Sequence, residues 1–138
     1  MTLHLLKLCV GVESIADLEA RRAGRRRKPP DHHVHVTRMV PRRANELLDG
    51  GSLYWVIRGR IAARQALRAI EPFVDHEGVG RCRLLLDPVL VPVLPRPFRA
   101  FQGWRYLADA DRPPDLQEAG KLEMPTELRL ALAALGLV

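Results

Sequence analysis

The sequence contains few of the side chains on which catalytic and metal-binding motifs depend. Its two cysteines, Cys9 and Cys82, have no C-x-x-C neighbour, which argues against a disulfide framework and against a zinc ribbon. Its two serines, Ser14 and Ser52, lie outside any G-x-S-x-G motif, so nucleophilic catalysis has little support. The stretch Gly78–Gly80 is too short for a dinucleotide or phosphate-loop fingerprint. We therefore expect no cofactor, and an enzyme is the less favoured class.

Long apolar runs are also absent from the sequence. No apolar stretch approaches the roughly 18 residues of a membrane-spanning helix. The apolar segment Met1–Val12 is interrupted by His4 and Lys7, and it lacks the basic start and the cleavage site of a signal peptide. The sequence therefore predicts a cytoplasmic protein that does not associate with membranes. Its 138 residues predict a single domain over 1–138, and they leave the oligomeric state open.

Arginine supplies almost all of the positive charge. The chain has 19 arginines and three lysines, a formal net charge of +6 and a pI near 10.1. Such a charge favours a polyanionic partner, in the first place RNA. A GC-rich genome also enriches arginine, so the composition alone leaves both explanations open.

Alternating apolar and polar residues predict strands, and amphipathic stretches predict helices. The predicted strands are Leu3–Val10, His33–Val40, Ser52–Arg58, Arg81–Leu86 and Phe98–Leu107. The predicted helices are Ser14–Ala23, Pro41–Leu48 and Pro125–Leu135. Residues Arg60–Phe73 fit either type, because their alanine, arginine and leucine favour a helix whereas the turn-like residues 75–80 after them favour a long hairpin. We interpret Arg60–Phe73 as a strand.

This order of elements, with hairpins in the middle of the chain, predicts an α+β fold. A bent mixed sheet or a small β-barrel with flanking helices would close such a chain. Residues 21–33 are predicted to form a basic mobile loop, and 108–124 a polar connector to the C-terminal helix 125–135. Because that helix is amphipathic, a protein-interaction module that docks through it is one alternative function.

Arginines at strand and helix ends, together with one aromatic segment, are the candidate nucleic-acid-binding residues. They are Arg38, Arg42, Arg43, Arg58, Arg60, Arg64, Arg99, Arg105 and Trp104. Guanidinium groups suit bidentate contacts to phosphates, and an exposed indole beside them could stack on a base. In a regular hairpin, Arg58, Arg60 and Arg64 would project from one face. The alternatives to a nucleic-acid-binding surface are that the arginines form a solvated face without a ligand and that the aromatic rings pack in the core.

Histidines at the start of the second predicted strand are weak metal candidates. His33 and His35 share one strand face, and Asp75, His76 and Glu77 of the predicted turn could approach them. Imidazole and carboxylate ligands would suit zinc or another first-row metal. No H-E-x-x-H pattern accompanies them, so we expect no bound metal. A small metal- or carboxylate-dependent enzyme built on these side chains is the second alternative to RNA binding.

Four segments of the chain together resemble a known family. They are LHLLKLCVG, HVTRMVPRRANELLDGGSLYWVIRG, RCRLLLDPVLVPVLPRP and FQGWRYL. The family is the uncharacterised bacterial domain-of-unknown-function family 1489, and the resemblance spans nearly the whole chain but implies no activity. More loosely, the order of elements in Pro41–Leu86 resembles PUA-like barrels, which include the PUA, ASCH and EVE domains. That resemblance implies a barrel that binds RNA or modified bases, although the G-x-K-x-x-x-x-R signature of the ASCH branch is absent.

Overall fold

The computed structural model describes residues 2–9, 14–23, 33–99 and 103–116. Its strands are β1 (Leu3–Leu8), β2 (His33–Thr37), β3 (Ser52–Ile57), β4 (Arg60–Val74), β5 (Gly80–Leu86), β6 (Val91–Pro97) and β7 (Trp104–Ala108). Its helices are α1 (Ile15–Ala23) and α2 (Ala44–Leu48), and a 3-10 turn covers Asp109–Asp111. Most of the predicted basic loop, 24–32, and the whole predicted helix 125–135 lie outside the described residues.

The strands form one mixed sheet that is organised around β4. The strand order is β2-β5-β4-β3-β1-β7, and β6 pairs with β4 beside this path. Among the described strands, β1 and β3 are parallel and the other pairs are antiparallel. The first half of β4 pairs with β3 and β6, and its second half pairs with β5. The long strand β4 therefore joins the part of the sheet that contains β3, β1 and β7 to the part that contains β5 and β2.

The sheet is open, so the barrel form of the prediction is wrong for the described residues. The edge strand β2 pairs with β5 and the edge strand β7 pairs with β1, and within the described ranges no ladder joins β2 to β7. A closed barrel needs hydrogen bonds on both sides of every strand. The prediction of a mixed sheet is confirmed. The helical part is smaller than predicted, and the fold is mostly β.

Residues Arg60–Val74 form a strand in spite of their helix-forming composition. Pairing with strands on both sides overrides local propensity here. The strand also contains a bulge at Ala62, because Ile61 lies opposite Val56 whereas Ala63 lies opposite Trp55. One inserted residue reverses the face on which the following side chains lie, as far as the second register shift between Leu67 and Ala69.

This bulge overturns the prediction that three arginines project from one face. Arg60 lies opposite Ile57 and Arg64 lies opposite Tyr54. Residues 54 and 57 are three positions apart on β3, so their side chains, and those of the arginines opposite them, lie on different faces. Arg58 is not in a strand, because it has a φ of 51° and belongs to the tight turn between β3 and β4.

Two apolar cores cover the two faces of β1 and β3. The larger core contains Leu5, Leu53 and Trp55, and it extends to Leu84 on β5. Trp55 is 2% exposed, which confirms its predicted burial. The smaller core lies on the opposite face of β1 and β3, where Val93 of β6 covers it. Both cores are needed because adjacent residues of a strand point to opposite faces.

The helix α2 ends at Leu48, as predicted from the two glycines Gly50 and Gly51, but it begins later than the predicted start at Pro41. It starts at Ala44, and the Gly51 N–H donates to the Leu47 carbonyl oxygen at 2.9 Å. A Cβ at Gly51 would lie 2.2 Å from that oxygen and 2.3 Å from the Leu3 carbonyl oxygen. Glycine at this position therefore lets the chain leave α2 and enter β3 directly beside β1.

Candidate nucleic-acid interface

A cleft of about 470 Å³ lies where the sheet is open, between the end of β2 and β7. We call it the edge cleft. It is lined by Lys7, Val36, Thr37, Arg38, Met39, Arg81, Gly103 and Trp104. These residues come from β1, β2, β5, β7 and the two connections next to β2 and β7, so only the folded sheet brings them together.

Side chains of β7 hold the arginine-rich segment 38–43 beside the edge cleft. The Trp104 indole N–H donates to the Met39 carbonyl oxygen at 3.0 Å, and the Arg43 backbone N–H donates to the Tyr106 hydroxyl at 3.2 Å. The Arg43 guanidinium carbon lies 5.5 Å from the centre of the Tyr106 ring, within the range of a cation–π contact. The rings of Trp104 and Tyr106 meet edge to face, with their centres 4.9 Å apart. Two aromatic residues thus anchor this segment to the sheet.

Some positive charges at the edge cleft have carboxylate partners. The Arg81 guanidinium lies 2.5 Å from the Asp75 carboxylate, and the Arg43 guanidinium lies 2.5 Å from the Glu46 carboxylate. The hydrogen bond from Arg81 is the largest cause of a lowered pKa at Asp75, and the hydrogen bond from Arg43 acts in the same way at Glu46. These four groups are charge-compensated.

Three further cations have no carboxylate partner among the described residues. Among the residues that the structure describes, no carboxylate forms an ion pair with Lys7, Arg38 or Arg42. Arg38 and Arg42 are exposed, whereas Lys7 is half-buried. Burial lowers the pKa of Lys7 because desolvation disfavours the charged amine, and the Cys9 thiol acts in the opposite sense. Counted over the part of the chain that the structure describes, the edge cleft and its rim therefore carry a local excess of positive charge.

Apolar atoms lie beside these charges. Met39 is 62% exposed and Val36 is 45% exposed, so both present aliphatic or thioether surface to solvent. Trp104 is partly buried against the larger core and lines the edge cleft with the remaining part of its ring. Cations next to apolar and aromatic surface are the combination that binds unpaired bases together with their phosphates.

The structure brings three of the nine predicted nucleic-acid-binding residues to this place. Arg38 and Trp104 line the edge cleft, and Arg43 is held beside it by Tyr106. Arg42 is exposed and lies next to Arg43 in the chain. Arg58 and Arg60 lie at the β3–β4 turn, and Arg99 follows Phe98, whose N–H donates to the Gly59 carbonyl oxygen at 2.8 Å. These three arginines form a separate group that lines no part of the edge cleft. The sequence analysis missed Lys7 and Met39, because neither lies in an arginine group or an aromatic segment.

Arg64 and Arg105, the other two predicted residues, lie on the opposite face of the sheet. Arg64 donates to both carboxylate oxygens of Asp115 at 2.7 Å and to the Ser52 hydroxyl at 3.1 Å. Arg105 lies opposite Leu6, whereas Trp104 lies opposite Lys7. Since adjacent residues of a strand face opposite ways, Arg105 points away from the edge cleft. Neither arginine belongs to this candidate interface.

A second pocket, of about 260 Å³, lies on that opposite face. It is lined by Thr2, His4, Gly50, Ser52, Tyr54, Arg64, Asp109, Arg112 and Asp115. The Ser52 backbone N–H donates to Nδ1 of His4 at 3.0 Å, so the ring proton lies on Nε2, which donates to Asp109 at 2.8 Å. His4 therefore offers no basic nitrogen to the Ser52 hydroxyl, and these residues do not form a nucleophilic triad.

The ionisable groups of this second pocket stabilise one another. The hydrogen bond from His4 is the largest cause of a lowered pKa at Asp109, and the hydrogen bond from Arg64 is the largest cause at Asp115. Arg112 also donates to Asp109 at 3.0 Å. Among the residues that the structure describes, each arginine of the pocket is matched by one carboxylate, so their formal charges balance.

The two candidate metal-binding histidines pack around Trp55. The Nδ1–H of His33 donates to the Gln65 side-chain oxygen at 3.1 Å. The same oxygen also accepts the Trp55 indole N–H at 2.9 Å. The His35 ring meets the Trp55 ring edge to face with centres 5.2 Å apart. Their side chains are thus part of the packing at the inner side of the sheet.

The predicted approach of the turn after β4 to both histidines does not occur. In the β2–β5 pair, Thr37 lies opposite Cys82 and His33 lies opposite Leu86. The turn precedes β5, so it lies beyond the Thr37 end of β2 and away from His33. Within the described ranges, no three His, Cys, Asp or Glu side chains converge in a way that could hold a metal ion.

Comparison with known proteins places the chain in a family. A family model described as "Protein of unknown function (DUF1489)" matches residues 5–138, which confirms the resemblance of the sequence segments. No curated protein and no solved structure matches the chain, so the looser resemblance to PUA-like barrels gains no support. In the part of the chain that the structure describes, no helix is long and apolar enough to cross a membrane.

Proposed function

The chain belongs to the DUF1489 family, and we propose that it binds single-stranded RNA in the edge cleft without converting it. One observation carries the proposal. Lys7 and Arg38, which no described carboxylate compensates, line an opening of the sheet together with Met39 and Trp104, and the exposed Arg42 follows in the same segment. The proposal assigns the phosphates to the cations and one unpaired base to the apolar wall.

The phosphate contacts follow from the positions of the exposed arginines. Arg38 comes directly after β2, and Arg42 lies four residues further along the same anchored segment. Guanidinium groups match the geometry of phosphate oxygens and remain charged at any physiological pH. Because the segment is tied to β7 through Trp104 and Tyr106, these arginines lose less conformational freedom on binding than arginines of an untethered loop would.

The cleft suits a single strand better than a duplex. A duplex presents its phosphates on a convex surface and keeps its bases stacked inside. The edge cleft is concave, and apolar Met39 and Trp104 border it. A base that is already unpaired can enter such a cleft without loss of base pairing, and contact with an aromatic side chain contributes about 1–3 kcal/mol per base.

Fluorescence anisotropy with a labelled single-stranded RNA of about ten nucleotides tests the proposal. We expect binding that weakens with salt, with a slope of log affinity against log salt of about 0.7 for each phosphate contact. The double variant Arg38→Ala, Arg42→Ala should lower this slope by about 1.4, because it removes two contacts. Both side chains are exposed, so the free energy of unfolding should change by less than about 0.5 kcal/mol.

The matched control is Arg60→Ala with Arg99→Ala. It removes the same charge from the group at the β3–β4 turn, and it should leave the salt slope unchanged. An equal loss in both double variants would mean that net charge, and not the edge cleft, attracts the RNA. If the wild-type protein binds no RNA even at low salt, the proposal is wrong, and the protein-interaction module becomes the leading alternative.

A further inference from the structure

Lys7 has an unusual position for a charged side chain. In the register of the sheet it lies directly between two tryptophans, opposite Trp55 of β3 and opposite Trp104 of β7. Side chains directly opposite each other on adjacent strands are nearest neighbours on the same face. The stem of Lys7 is therefore flanked by large apolar groups, while the residue still lines the edge cleft.

The surroundings of Lys7 disfavour its charged form. Arg38 and Arg81 line the same cleft, and among the described residues no carboxylate forms an ion pair with Lys7. Desolvation lowers the pKa of the amine, and the Cys9 thiol acts in the opposite sense. A lysine in such a setting supplies more of the unprotonated amine, which is the nucleophilic form.

We propose that Lys7 is a nucleophile that forms an imine with the aldehyde of a phosphate-bearing ligand in the edge cleft. The cations around it suit the phosphate, and the cleft leaves room for the reacting carbon. Two ligand sources share this chemistry, an RNA strand with an abasic ribose and a small phosphorylated aldehyde. The RNA source rests on the function proposed above, whereas the small-molecule source does not.

The reaction balances without an oxidant or a reductant. The lone pair of Lys7 Nζ attacks the aldehyde carbon and gives a carbinolamine. The carbinolamine hydroxyl then leaves as water, together with a proton from the nitrogen, and a C=N bond replaces the C=O bond. The step is reversible, so it captures the ligand and does not convert it.

Reductive trapping of the full chain tests the inference. Cyanoborohydride transfers hydride to an imine carbon and leaves a stable secondary amine, which peptide mass spectrometry can locate. One probe is an RNA of about ten nucleotides with a single abasic ribose, and the other is glyceraldehyde 3-phosphate. The chain has only three lysines, Lys7, Lys28 and Lys121, so the modified residue can be identified directly.

We expect the adduct on Lys7 with at least one probe, and we expect it to persist at lower pH than any adduct on Lys28 or Lys121. The matched variant is Lys7→Arg, which keeps the positive charge but cannot form an imine. It should lose the adduct completely. Mapping of the wild-type adduct provides a readout that does not depend on how well the variant folds.

The outcomes separate this inference from the proposed function. If intact RNA binds but neither probe modifies Lys7, the inference is wrong and the proposed function stands. If the small aldehyde modifies Lys7 while RNA does not bind, the inference stands with a small ligand and the proposed function is wrong. An adduct that forms chiefly on Lys28, Lys121 or the N-terminal amine also overturns the inference, because it would reflect general amine reactivity.

Discussion

The indole N–H of Trp104 donates to the carbonyl oxygen of Met39, a residue 65 positions earlier in the chain, at 3.0 Å. This hydrogen bond spans the opening between the two edge strands of the sheet, where no backbone ladder is found among the described residues. It holds the segment that carries Arg38 and Arg42 against β7. The width of the edge cleft therefore depends on a side chain of β7.

Trp104→Phe should loosen this segment while the global fold remains intact. The variant keeps an aromatic ring but removes the donor, at a cost of about 1 kcal/mol, the usual contribution of a hydrogen bond. We expect faster amide hydrogen exchange over residues 40–43 and weaker RNA binding. Met39→Ala is the control for the exchange measurement, because it retains the carbonyl group that accepts the hydrogen bond. Unchanged exchange in Trp104→Phe would show that the segment is held by other contacts.

Gly51→Ala should destabilise the protein far more than Gly50→Ala. A Cβ at Gly51 would clash with two backbone oxygens, so β1 or α2 must move, at a cost of about 3 kcal/mol or more. Gly50 has a φ of +83° but open space around it, so alanine there should cost only about 1 kcal/mol of backbone strain. Urea denaturation of both variants measures the difference. Equal losses would contradict the close approach of α2 to β1.

The ion pair between Arg64 and Asp115 should make stability depend on pH in the acid range. Arg64 lowers the pKa of Asp115 in the folded state. A carboxylate with a lowered folded-state pKa contributes stability above its unfolded value of 3.8, and this stability is lost as the pH falls through the folded-state value. Asp115→Asn should therefore cost about 1.5–3 kcal/mol at pH 7, and the cost should shrink as the pH falls below 3.8.

Glu46→Gln is the matched control for this ion pair. Glu46 pairs with Arg43 on the surface, where 39% of its side chain is exposed, so the variant should change stability little at any pH. Denaturation curves at several pH values compare the two variants. A cost of Asp115→Asn that stays constant with pH would contradict a stabilising role for the charged carboxylate.

Trp55→Ala should be strongly destabilising. The ring is 2% exposed in the larger core, and its N–H donates to the Gln65 side-chain oxygen at 2.9 Å. Truncation leaves a cavity and costs about 3–5 kcal/mol, as measured by chemical denaturation. Trp55→Phe should cost less, because it fills most of the space. A loss below about 1 kcal/mol for Trp55→Ala would show that the ring contributes little to the core.

Local signals in the sequence were reliable where residues close together in the chain form hydrogen bonds with one another. The predicted cap of α1 is confirmed, because the Ser14 hydroxyl accepts the Asp17 N–H at 3.1 Å. The predicted turn after β4 is confirmed as well, because Asp75 accepts the N–H groups of Glu77 and Val79. In both places the bonding partners lie within four residues, so the pattern of residue types contains the whole interaction.

Signals that depend on distant residues were less reliable. Arg60 and Arg64 have the spacing of side chains that share a strand face, but the bulge at Ala62 separates them. A bulge arises from the fit between two strands, and the residue types of β4 alone do not predict it. Arg64 was predicted to bind phosphate because it has this spacing. In the structure it pairs with the carboxylate of Asp115, which is 51 residues away in the chain.

The amino-acid sequence by itself determined most of the strands, the family, the excess of arginine and the local caps and turns. Each of these depends on composition, alternation or contacts between near neighbours. The tertiary structure alone decided that the sheet stays open between β2 and β7, and that Lys7 lies between two tryptophans beside Arg38. The physical reason is that strand register and edge pairing are set by cross-strand contacts between residues far apart in the chain.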